Sequence, residues 1–115
     1  MIYLASPYSH PDPAVMEQRF ETACRIAGWL MARGEIVFSP IAHTHPIAVR
    51  CELPRGWEFW NRYDREMIGF CARLLVAKMD GWQTSTGIAA EIGIAESLGI
   101  PVEYMDIEMA LGGKP

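Results

Sequence analysis

Apolar and polar positions along this chain follow two alternating periods. Ile2-Tyr-Leu-Ala5 is an unbroken apolar run closed by Ser6-Pro7, the pattern of a buried strand feeding a loop. From Ala14 to Ala32, Met16, Phe20, Ala23, Cys24, Ala27, Leu30 and Met31 recur at helical spacing with charged residues between them, and Gly34 stops that helix. Glu35-Ile-Val-Phe38 reads as a second strand. Pro46, Pro54 and Gly56 then interrupt the chain, so a long loop is expected from Ile41 to about Gly56. Helical period returns from Trp57 to about Cys71, on a stripe of Trp57, Trp60, Asn61, Asp64, Met67, Ile68 and Cys71 that turns Asp64 inward. Ala72–Ala77 is a third strand, followed by a loop from Met79 to Thr84. A helix from about Ser85 to Leu98, a stop at Gly99 and a last strand at Pro101–Tyr104 complete the pattern.

Strands alternating with helices predict an α/β domain: three layers, αβα, with a flavodoxin- or Rossmann-like open parallel sheet of four to five strands and right-handed crossovers. With the first strand central, the order is 2-1-3-4 and the topological switch falls between the first and third strands. Ligands of such sheets bind outside the carboxyl ends at that point, here between the loops Ser6–Pro13 and Met79–Thr86.

The 115 residues suit a single domain spanning 1–115. A net charge of -4 argues against a nucleic-acid polymer or an anionic membrane as partner and leaves a small molecule. The opening Met1–Pro7 has no basic stretch before its apolar run, so it reads as a strand and not as a signal peptide or membrane span. Cys24, Cys51 and Cys71 are odd in number and widely spaced, which predicts buried thiols in a reducing cytoplasm.

Glu91 falls in the second turn of a helix that Ser85 or Thr86 would cap, among Ile88, Ala89, Ala90, Ile92, Gly93, Ile94 and Ala95. A carboxylate there would lie near the sheet edge, favoured as an anion by the helix N-terminus, and could serve as a nucleophile; the plainer reading is a surface glutamate. Asp64 is the second acid on an apolar face and needs either a ligand or an ion pair with Arg62 or Arg65. Tyr3 is either a core aromatic or the phenol that orients a carboxylate.

Ile2-Tyr-Leu-Ala-Ser-Pro7, Asp64 on a helix before an apolar strand, and Asp80-Gly with Ser85-x-Gly87-x-x-x-Glu91-x-Gly93-x-Ala95 together resemble the nucleoside 2-deoxyribosyltransferase superfamily. That superfamily includes deoxynucleoside monophosphate N-glycosidases and an uncharacterised bacterial branch opening with Ser-Pro-Tyr-Ser-His. The resemblance covers nearly the whole chain. It implies that Glu91 attacks the anomeric carbon of a nucleoside or nucleotide and that water or a second base then takes the sugar. It further implies that Tyr3 orients Glu91, that Asp64 holds the sugar hydroxyl or the base, and that Ser85 contacts sugar or phosphate. Ser6, Pro7, Tyr8, His43, Asp80, Trp82, Thr86 and Gly87 complete the expected substrate contacts. A homo-oligomer, dimer or tetramer, is implied, and no cofactor or metal. The opening loop Pro7–Pro13 carries no Arg where the nucleotide-hydrolysing relatives have one.

Two rival readings accompany this one. The fold could serve as a nucleotide or nucleotide-sugar binding module without the reaction. Alternatively, His43-x-His45, with His10 or Cys51, could hold the metal of a hydrolase.

Overall fold

The computed structural model describes residues 1–112. The elements are β1 (Ile2–Ala5), α1 (Pro13–Ala32), β2 (Val37–Phe38), α2 (Pro40–Arg50), α3 (Trp57–Gly69), β3 (Arg73–Ala77), a 3-10 turn (Trp82–Thr84), α4 (Thr86–Ser97), β4 (Val102–Met105) and α5 (Glu108–Leu111). All strand pairs are parallel, in the order β2-β1-β3-β4, with Ile2 opposite both Val37 and Arg73 and with Leu74 opposite Val102. This is the three-layer α/β fold and strand order that the alternation of strands and helices predicts.

Strand alternation sorts the core into two halves. Ile2 and Leu4 of β1 join Leu75 and Ala77 of β3 beneath Ile26, Ala27 and Leu30 of α1 and Ala110 of α5. Tyr3 and Ala5 face the other way with Leu74 and Val76, under Ile68 of α3 and Ile88, Ile94 and Ala95 of α4. The helix after β1 therefore covers one face and the helix after β3 covers the other. The segments that leave the carboxyl ends of the paired strands β1 and β3 turn to opposite faces there, which opens the expected crevice.

The expected loop from Ile41 to Gly56 is instead largely a helix. Ser39 caps α2 by accepting from the Ala42 amide, and Pro40 sits at the first helical position, where its missing N–H costs nothing. Pro46 lies inside α2 and the helix continues through it to Arg50. Reading every proline as a break missed this helix. The Cys prediction also needs correction, because only Cys71 is buried, Cys24 is intermediate and Cys51 is exposed at the end of α2. Among the described residues no helix is long and apolar enough to cross a membrane.

Candidate active site

Three polar side chains from three elements meet beneath the crevice. Tyr3 takes the β1 position that faces α3 and α4, Asp64 lies on the buried stripe of α3 with Ile68, and Glu91 lies on the buried stripe of α4 with Ile88, Ile94 and Ala95. Packing α3 and α4 over β1 brings the three together. The Tyr3 hydroxyl donates to Glu91 Oε2 at 2.6 Å. Tyr3, Glu91 and Asp64 keep only 0%, 5% and 7% of their surface exposed, which removes the surface-glutamate reading of Glu91. Among the described residues no cation pairs with Asp64; Arg62 and Arg65 point to solvent.

Burial decides the protonation of this cluster. It raises Glu91 from 4.5 to about 8, an effect that the Tyr3 hydrogen bond opposes and the nearby Asp64 charge reinforces. Asp64 rises from 3.8 to about 6, again through burial, with hydrogen bonds from Tyr3 and Glu91 pulling the other way. Tyr3, buried against both acids, is held far above its usual value and stays a phenol. The expected ionisation of Glu91 by the helix N-terminus is therefore overturned. The helix field fades beyond the first turn, and Glu91 is the sixth residue after the Ser85 cap. Near neutral pH the two carboxyls hold one proton between them.

Above the cluster lies a cavity of about 290 Å³, lined by Asp64 and Glu91 together with Ser6, Tyr8, Ser85, Thr86 and Gly87. Those seven sequence-predicted residues converge. Ser85 caps α4 by accepting from the Ile88 amide, so the opening amides of that helix lie at the cavity with no acceptor within the helix. Ser6 Oγ is buried without a hydrogen-bond partner among the described residues, an acceptor and donor ready for a ligand.

The other predicted contacts lie elsewhere. Pro7 is fully buried and does not line the cavity. Asp80 is exposed and stands outside the cavity, as does Trp82, which packs on Tyr104 with ring centres 5.7 Å apart. His43 folds back on the start of α2, its Nδ1 lying 2.8 Å from the Ser39 carbonyl and its ring against Phe38. The cavity histidine is His45. Residues two apart on a helix face different ways, so the pair cannot chelate one ion. No group of three His, Cys, Asp or Glu side chains among the described residues is placed to hold a metal.

Two arginines also line the cavity, neither of them expected from the sequence. Arg19, from the second turn of α1, donates to the Ser9 carbonyl at 2.9 Å. It lies against Gly81, where φ of +90° favours glycine and a Cβ would come within 2.5 Å of the guanidinium and displace it. Arg55, from the segment between α2 and α3, reaches Met16 Sδ at 3.5 Å. Neither forms an ion pair among the described residues. Trp57 and Trp60, at the start of α3, line the cavity as well.

A family model described as Domain of unknown function (DUF1937) matches residues 1–107. No curated protein matches the chain.

Proposed function

The chain belongs to this domain-of-unknown-function family, and from its own site we propose that it breaks the N-glycosidic bond of a nucleoside or nucleotide, with Glu91 as nucleophile. The observation that carries the reading is the buried Tyr3–Glu91–Asp64 cluster at the edge of the cavity, holding one proton on two carboxyls. Displacing a base through a glycosyl-enzyme needs one carboxylate to attack and one acid to protonate the leaving nitrogen. A singly protonated pair supplies both.

At rest the shared proton lies mainly on Glu91, the group that burial raises further; in the first step it passes to Asp64, which leaves Glu91 as the anion. A Glu91 oxygen bonds to the anomeric carbon, the C–N bond breaks, and its electron pair takes the Asp64 proton to release the neutral base. Tyr3 donates to Glu91 throughout and holds the attacking carboxylate in place. In the second step water, or an acceptor base, attacks the same carbon. Asp64 takes the proton that is released and Glu91 leaves as the carboxylate, which restores the one-proton pair with retained configuration.

Arg19 and Arg55 favour an anionic ligand, so the 5′-monophosphate is the preferred form of the substrate. Such an enzyme would work in the cytoplasm. The homo-oligomer that the resemblance implies is checked by sedimentation. The central test incubates the protein with nucleosides and 5′-monophosphates, with and without an acceptor base, and follows free base. Release is expected from the wild type and a loss of at least roughly a thousandfold from Glu91→Ala. No turnover across the panel, or unchanged turnover in Glu91→Ala, overturns the proposal.

A further inference from the structure

A second hydrogen-bonded chain reaches the same cavity from the opposite side of the crevice. Tyr8, in the segment after β1, bonds through its hydroxyl to His45 Nδ1, and His45 Nε2 lies 3.0 Å from Glu17 Oε1 of α1. His45 is buried, stacked on Phe20 with ring centres 4.4 Å apart and met edge-on by the Tyr8 ring, so its orientation is fixed. Tyr8 and His45 both line the cavity.

The direction of the protons follows from the end of the chain. An ionised carboxylate only accepts, so Glu17 sets the hydrogen of the neutral imidazole on Nε2. Nδ1 is then a lone pair, and the Tyr8 hydroxyl gives its single proton there. What the Tyr8 oxygen retains for the cavity is acceptor capacity alone. Thr44, which also lines the cavity, commits its own proton to the Pro40 carbonyl at 2.5 Å. Partial burial raises the Tyr8 phenol above its usual range, which keeps it protonated and keeps this arrangement intact.

We propose that Tyr8, set by His45 and Glu17, is a specificity-determining acceptor that selects ligands bearing a hydroxyl or N–H donor at this wall. The claim rests on the nucleoside reading and adds a contact to that site. A wall whose acceptor has no donor opposite it leaves a buried polar group unpaired, so ligands lacking the donor are rejected.

The test measures dissociation constants by calorimetry in a Glu91→Gln background, where ligand is not consumed. The ligands are adenosine, uridine, their 2′-, 3′- and 5′-deoxy counterparts, and purine riboside, which lacks the base amine of adenosine. One deletion is expected to weaken binding roughly tenfold when Tyr8 is present. In Tyr8→Phe, which keeps the ring, parent and deleted ligand are expected to bind alike. The deletion that shows this coupling tells a sugar hydroxyl from a base amine. Binding in which no deletion couples to Tyr8→Phe overturns the proposal and leaves the glycosidase reading standing. No binding of any of these ligands, nor of the 5′-monophosphates of adenosine and uridine, by either protein overturns both. Nitrogen NMR of the imidazole gives a readout independent of ligand: hydrogen on Nε2 alone is expected for His45, and hydrogen on Nδ1, in the other tautomer or in the imidazolium, overturns the proposal.

Discussion

Tyr3 and Tyr8 each belong to a hydrogen-bonded chain that meets one cavity, the first through Glu91 and the second through Tyr8 itself, and the two chains are built in opposite ways. Tyr3 lies in the core between the sheet and two helices, and Glu91 and Asp64 are buried beside it, meeting the cavity only at their edge. Tyr8 and His45 lead outward to Glu17, whose side chain is 58% exposed. In the first chain burial penalises a charge, so protonation is coupled to folding and the acids are pushed toward neutral pH. In the second, solvent screens the terminal carboxylate, and the chain serves orientation more than energy. Burial, more than residue type, thus separates a group that can store a proton for catalysis from one that fixes a hydrogen-bonding direction.

The largest expected effect that breaks this contrast comes from Asp64→Asn, which removes the acid for the leaving base. Base release should fall roughly a hundredfold or more, measured under single-turnover conditions. Next, the pair's single proton sets the pH dependence. The rate should rise as the pair loses its first proton near pH 6 and fall as it loses the second near pH 8, a bell in kcat/KM. Tyr3→Phe should cost roughly tenfold in rate. Because the Tyr3 hydrogen bond lowers Glu91, its loss should also move the alkaline limb to higher pH, a shift that a purely structural role would not produce.

Stability sharpens the same contrast. A free glutamate ionises near 4.5 while Glu91 keeps its proton to about 8, so the folded state binds more protons than the unfolded state in that window. The contribution of Glu91 to stability is therefore present below about pH 4.5 and is lost as pH rises toward 8. Glu91→Gln carries no such slope, and its melting temperature relative to wild type should rise across the window by roughly 5 °C or more. The smallest effect is expected from Glu17→Ala. With an exposed acid at the end of the chain, it should change unfolding free energy by less than about 1 kcal/mol in a denaturant titration.

Much of this was legible in the sequence for a definite reason. The segment from Ser85 to Ala95 joins a cap, helical period and one acid on an apolar stripe, all local signals, and strand order then fixes the cavity edge that it faces. Asp64 was legible in the same way, as a polar member of an inward stripe. The segment between β2 and α3 was not. Pro46 reads as a break although α2 runs through it, and without α2 the facing of His43 and His45 had no phase. Arg19 was missed because the polar side of α1 reads as solvent-facing. Its signal was available nonetheless: α1 starts at the carboxyl edge of β1, so its second turn stands over the crevice as the second turn of α4 does. Arg55 follows no period at all; only the tertiary fold brings it to the cavity. The protonation of Glu91 was misread because burial in three dimensions outweighs a helix field that local sequence can suggest.

The central claim is that Glu91 forms the bond to the sugar. Rapid mixing of the wild-type protein with the substrate found in the panel, acid quenching within one turnover, and peptide mass mapping test it directly. A glycosyl-enzyme on Glu91 gives a mass gain equal to the sugar or sugar phosphate less water on the peptide containing Glu91, with none in Glu91→Gln. Undiminished base release with an unmodified Glu91 peptide and an inverted anomeric product would contradict it.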